Sequence, residues 1–166
     1  MPTHYKGSER EVRALNAFVN LMRGSESLAR RLSAQLEPLG LTMGQFGVLE
    51  ALYHLGPMCH KALGEKLLRS GGNVTLVVDN LARQGWVRRE RQTDDRRHIR
   101  IHLTPKGRTL IARVLPKHVE AIAKEMSVLD ANEQEALRRI CRKLGKHGEE
   151  LSQANKENHH AASSTQ

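Results

Sequence analysis

Aromatic residues make up only 3% of this 166-residue chain, and there are two cysteines, Cys59 and Cys141. So few rings exclude a platform of stacked bases of the kind that holds single-stranded nucleic acid. Two thiols are too few for a disulfide scaffold, so the fold must rest on an apolar core, which a single domain of this length can supply. No apolar run approaches the roughly 18 residues of a membrane span. The opening MPTHYKGSER lacks the apolar stretch of a signal peptide, and a cytoplasmic location is the expectation. There is no G-x-S-x-G, P-loop, H-E-x-x-H or paired-carboxylate arrangement with supporting context. The chain therefore reads as neither an enzyme nor a cofactor protein. His54, Cys59 and His60 come nearest to a metal set, but no strong ligand motif fixes them, so no metal is expected.

Positive charge is what the sequence has in excess. It holds 27 Lys and Arg against 18 Asp and Glu, a formal charge of +9 and a pI near 10.1. That balance points to a polyanion, nucleic acid or an anionic membrane surface. Twelve of the basic residues fall between positions 60 and 110, with only five acids beside them. The cluster lies on a turn and a hairpin rather than along one amphipathic face, which counts against a membrane. Duplex DNA fits better.

The apolar spacing organises that charge. From Glu9 to about Glu37, Leu15, Phe18, Met22, Ala29, Leu32 and Leu36 recur at helical steps, weakened at Gly24 and stopped by Pro38 and Gly40. Thr42 and Gln45 form a capping box for a second helix, with Leu41 and Phe46 as its hydrophobic staple, and Gly56-Pro57 ends it. A short helix from about His60 to Leu68 turns inward Ala62, Leu63 and Leu67. Arg69-Ser70-Gly71-Gly72 reads as a tight turn. The following helix buries Val74, Val77, Val78 and Leu81 and ends at Gly85. Two short helices about a Ser/Gly turn describe a helix-turn-helix.

Trp86 to Arg91 then reads as a strand, and Ile99, Ile101 and Leu103 alternate with His98, Arg100 and His102 in a second. The polar QTDDRR between them makes the tip of a two-stranded wing. Thr104 caps the next helix and Pro105 takes its first position. That helix carries Leu110, Ile111, Val114, Leu115, Ile122 and Met126, with a bend expected at Pro116. A last helix starts at Asp130, with Glu133 completing a capping box, and bears Leu137, Ile140, Cys141, Leu144 and Leu151. Cys141 on this apolar face reads as buried packing. The fold class is thus mainly α with a small β-hairpin wing.

The blocks LTMGQFGVLEAL, GGNVTLVVDNLARQGWVRRE and DDRRHIRIHLTPKGRTLI resemble the MarR family of bacterial transcriptional regulators over residues 9 to 152. The resemblance implies a flexible arm over residues 1–8, a winged helix-turn-helix domain over 9–152 and a disordered tail over 153–166. Within the domain the helix-turn-helix spans about 60–84 and the wing about 86–103. Dimerisation helices at about 9–37 and 104–152 would pair two copies. The implied function is a sequence-specific regulator of double-stranded DNA, a ligand-responsive repressor acting as a homodimer on a pseudo-palindromic operator.

The resemblance also makes Arg97 the minor-groove arginine, oriented by Asp95, with Arg96 on a phosphate or sharing the groove. On the recognition helix the inward stripe leaves Asn73, Thr75, Leu76, Asp79, Asn80 and Arg83 outward. Asn73 and Thr75 suit base edges, Asn favouring adenine and the Thr methyl favouring thymine. Leu76 departs from relatives that carry a polar or basic residue there; a thymine methyl is its natural contact. Ser70, Gly71 and Gly72 bring backbone N–H groups to a phosphate at the positive helix end. Asp79 is expected to pair with a neighbouring arginine, since a carboxylate facing phosphate would repel it. Lys61, Arg88, Arg89 and Arg91 are candidate backbone contacts or a solvated face.

Two further readings stay open. A sequence-tolerant architectural DNA protein would hold duplex by charge alone. A redox-responsive regulator would use Cys59, just before the third helix, although a packing role suits that residue as well. An effector pocket, if present, would draw on Phe18, Phe46 and Tyr53, which read equally as core.

Overall fold

The computed structural model describes residues 4–67, 71–91 and 99–145. They form two compact units, residues 1–122 and 123–166. In the first, helix α1 (Glu9–Leu36) opens on a capping box in which the Glu11 amide donates to Ser8 Oγ and the Ser8 amide donates to Glu11 Oε2. It passes unbroken through Gly24, whose cost of about 1 kcal/mol against alanine a 28-residue helix can absorb. A single 3-10 turn (Glu37–Leu39) holds Pro38 and leads to α2 (Met43–Leu55). The Thr42–Gln45 capping box is present, and the two staple residues, Leu41 and Phe46, are both buried in the core.

Next come β1 (Met58–Cys59), α3 (His60–Leu67) and α4 (Gly71–Arg83). Gly71 and Gly72 lie inside the first turn of α4, not in a turn ahead of it. Glycine is a poor helix former, but the burial of Val74, Val78 and Leu81 outweighs it. Each such side chain contributes about 1.5–3 kcal/mol when removed from water. Strands β2 (Val87–Arg91) and β3 (Ile99–Leu103) pair antiparallel, Arg89 opposite Ile101. The sheet has three strands in the order β1-β3-β2, because Met58 and Cys59 pair with Ile101 and Arg100. The β2–β3 hairpin is the two-stranded wing expected from the alternation, and β1 adds a third strand beside β3.

Helix α5 (Pro105–Met126) continues through Pro116 without a break. Its start is clasped to the end of α4. Gly85, at φ 71°, closes α4: the Trp86 amide donates to Leu81 O and the Gly85 amide to Ala82 O. Thr104 Oγ1 accepts from the Gly107 amide and donates to Gly85 O at 2.7 Å, the Thr104 amide donates to Trp86 O, and Lys106 Nζ donates to Gln84 O at 3.0 Å. Gly107 is packed so closely that a Cβ there would lie 2.0 Å from Trp86 O. The Thr-Pro-Lys-Gly run is the clasp that fixes the far end of α4.

The second unit contains the last turns of α5 and helix α6, which covers residues 131–145 among those described. Its capping box is formed, Asp130 N donating to Glu133 Oε2 and Glu133 N to Asp130 Oδ1, both at 2.9 Å. Cys141 is exposed, as are Ile140 and Leu144, so the described residues leave the apolar face of α6 uncovered. The burial expected for Cys141 presumed a cover that the described residues do not provide. Leu151 lies outside the described residues. No described helix is long and apolar enough to cross a membrane.

Candidate nucleic-acid interface

Helix α4 meets the core through Val74, Val78 and Leu81 and turns Thr75 and Leu76 outward; Leu76 is 60% exposed. A leucine left in water at the middle of a helix that buries its opposite face has no role in this lobe's packing. Asn73 sits in the first turn of α4. Asn80 is half-buried and accepts from the Arg83 guanidinium, so that pair is already engaged along the helix. Asp79 pairs with Arg89 of β2, the in-chain partner its charge called for.

That pair ties α4 to the sheet and removes one negative charge from the basic face. Beside it, Arg88 pairs with Glu90, and His102 Nε2 lies 3.4 Å from Glu90 Oε2. The Arg88 hydrogen bond and charge hold the Glu90 carboxyl below the usual carboxylate range. Lys61 on α3 and Arg91 at the end of β2 are exposed. Ser70, Asp95, Arg96 and Arg97 lie outside the described residues, between elements whose ends are fixed at Leu67 and Gly71 and at Arg91 and Ile99. In the register of β2 on β3, Arg91 opposite Ile99 is the last described pair of this hairpin.

Cys59 is half-buried in β1, immediately before α3. Among the described residues no three His, Cys, Asp or Glu side chains group to hold a metal ion. Phe18 is 59% exposed on α1, Phe46 is buried, and Tyr53 lies under the Arg108 guanidinium, 5.6 Å from its ring centre. Phe46 instead packs on His118 of α5, with ring centres 4.3 Å apart, beside a cavity of about 320 Å³.

His118 was missed from the sequence, although it continues the Ile111–Val114 stripe of α5 at helical spacing and so stands at a core position. His60, at the head of α3, was noticed only as a possible ligand. Its Nε2 is buried without a hydrogen-bond partner among the described residues, as is Nδ1 of His118. Burial lowers the pKa of both; the Arg89 charge adds to it at His60, while Asp79 opposes it there and Glu50 opposes it at His118.

A folded-state pKa below the unfolded value of 6.5 means the unfolded chain takes up protons first on acidification. Stability is therefore full above the unfolded value and is lost as pH falls through it towards the folded one. The urea midpoint is expected to fall between about pH 7 and about pH 5. The fall should be smaller in a His60→Asn/His118→Leu double variant. An equal fall in that variant assigns the effect to other groups.

The profile of the MarR family matches residues 41–99. The uncharacterised HTH-type transcriptional regulator YkoM of Bacillus subtilis (strain 168) is 35% identical over 145 residues, 87% of this chain and 94% of its own length. Among solved structures, the MarR-family regulator Sco3205 of Streptomyces coelicolor, in complex with DNA, superposes with a TM-score of 0.77 at 22% identity, over 87% of this chain and 91% of that one. BpsR of Bordetella bronchiseptica, whose DNA binding is regulated by 6-hydroxynicotinic acid, superposes with a TM-score of 0.72 at 21% identity, over 87% and 98%.

Proposed function

The chain belongs to the MarR family of transcriptional regulators and binds DNA, and on that premise we propose that it acts as a homodimeric, effector-released repressor on a pseudo-palindromic operator. It is a regulator, not an enzyme. The observation that carries the reading is the exposed Thr75–Leu76 face of α4 on a lobe whose other side is fully packed. In a major groove, Asn73 and Thr75 meet base edges and Leu76 meets a thymine methyl. The first-turn amides of Gly71 and Gly72, with Ser70 before them, face a phosphate at the positive end of the helix dipole. Arg97, oriented by Asp95 and accompanied by Arg96, enters the flanking minor groove; Lys61 and Arg91 reach phosphates.

Two copies are needed because one such lobe makes few contacts, and two-fold symmetry doubles them on a pseudo-palindrome. Apolar surface supports the pairing: Phe18 and Met22 stand exposed on α1, and separately Ile140 and Leu144 on α6. On this reading residues 9–152 form the working domain, 1–8 an arm and 153–166 a tail, in the cytoplasm where the DNA is. The effector is supported by likeness to BpsR, whose DNA binding a small molecule regulates.

Titration of the protein's own upstream region against random duplex at moderate salt tests the reading. Preference for the upstream region by about 10³-fold or more is expected of a specific regulator. A ratio near one replaces it with the architectural alternative. Arg97→Ala is expected to weaken operator binding by about 1–3 kcal/mol while sedimentation still reports a dimer. Unchanged affinity removes the wing arginine from the interface.

A further inference from the structure

Leu76 brings to the outward face of α4 a side chain that can neither donate nor accept a hydrogen bond. It is 60% exposed at the middle of the helix, while Val74, Val78 and Leu81 are buried on the other side. Its neighbours one turn on, three and four residues away, are Asp79 and Asn80. Asp79 is paired with Arg89, and the side-chain oxygen of Asn80 accepts from Arg83. The polar groups beside Leu76 are thus committed within the chain, and the leucine is left facing outward.

Charge says what covers it. Lys61 on α3 and Arg91 on β2 are exposed, and both elements adjoin α4. The Asp79–Arg89 pair takes a negative charge off this side of the lobe. A polyanion fits that surround, and the apolar feature of a duplex major groove is the C5-methyl group of thymine. What a leucine can read there is narrow. Thymine differs from cytosine in two ways: O4 accepts where N4 donates, and C5 carries a methyl. A side chain without donor or acceptor senses only the second. Methylation of cytosine at C5 sets the same methyl in the same place.

We propose that Leu76 reads the C5-methyl group of a pyrimidine and not the base that carries it, so that 5-methylcytosine serves as well as thymine and unmodified cytosine does not. This rests on the placement of α4 in a major groove argued above and names what the helix reads there. Occupancy of a site then depends on its cytosine-5 methylation as well as on its sequence.

Binding of the full chain to its own upstream region tests this, with each T·A pair in turn replaced by U·A. That change removes the methyl and keeps every hydrogen-bonding group. At the pair facing Leu76 it should weaken binding about fourfold per half-site, the worth of one methyl taken from water, and about fifteenfold when both half-sites are changed. With cytosine in that position, methylation at C5 should strengthen binding by the same factors. Leu76→Ala should bring thymine and uracil within about twofold of each other there, and likewise cytosine and 5-methylcytosine. Uracil that binds as well as thymine at every pair overturns the proposal. So does 5-methylcytosine that binds no better than cytosine at the pair where Leu76→Ala abolishes the uracil effect. Should the variant fail to fold, the ratio of 5-methylcytosine to cytosine at the methyl-sensitive pairs of the wild type decides alone. The two readings fail separately. A Leu76→Ala variant with undiminished affinity for the unmodified fragment overturns the placement of α4 and the proposal with it. A variant weakened equally on thymine and uracil leaves that placement standing and overturns the methyl reading alone.

Discussion

Gly107→Ala is expected to destabilise the protein by about 3 kcal/mol or more, against the usual sign of a glycine-to-alanine change in a helix. Elsewhere the added methyl reduces backbone freedom in the unfolded chain and is worth about 0.5–1 kcal/mol of stability. At Gly107 it would lie 2.0 Å from Trp86 O and 2.9 Å from Trp86 C, both main-chain atoms. Neither can turn aside as a side chain would. Relief requires α5 to withdraw from the α4–β2 corner, which breaks the Thr104 amide bond to Trp86 O and the Thr104 hydroxyl bond to Gly85 O. Overpacking alone costs about 1–3 kcal/mol, and the lost hydrogen bonds add to it. Gly24→Ala is the internal control. Nothing lies within 4 Å of a Cβ at that position, and a gain of about 1 kcal/mol is expected. Urea midpoints of the two variants check both signs; a stabilised Gly107→Ala would dissolve the clasp.

The clasp shows where local reading of a sequence ends. Thr104 and Pro105 announce a helix start by their own chemistry, as do Thr42 with Gln45 and Asp130 with Glu133, and each cap formed where the residues placed it. The alternation of β3 and the buried stripe of α4 were likewise legible, because period two and period 3.6 are written along the chain. The reason for Gly107 is not local: it is the approach of Trp86, a corner twenty-one positions upstream. Strand β1 was hidden for a similar cause. Two residues have no period, and Met58 and Cys59 become a strand only by pairing with Ile101 and Arg100. Gly71 and Gly72 read as a turn by propensity, which the packing of Val74 and Val78 overrode. At the site, the sign of charge was enough to pair Asp79 with an arginine, while the orphan nitrogen of His118 needed the cavity to be seen.

Raising salt from about 50 to about 200 mM is expected to weaken the operator complex by about 10⁴-fold. About four phosphate contacts per protomer, doubled by symmetry, give a slope of log K against log salt near −7, and a fourfold rise in salt carries that slope to the stated loss. The basic cluster alone would suggest more contacts. However, Arg88 and Arg89 are matched in the chain to Glu90 and Asp79, and a cation with a fixed acid beside it releases little counterion from a phosphate. Removing Arg91 should therefore reduce the slope by about 1. The double change Asp79→Asn/Arg89→Ala removes one charge of each sign and should leave the slope unchanged, even where affinity falls because α4 is less firmly held to β2. A slope shallower than about −3 would mean that fewer than two phosphates per protomer are neutralised. The basic face would then be a solvated surface, and affinity would have to come from the groove contacts of α4 and the wing.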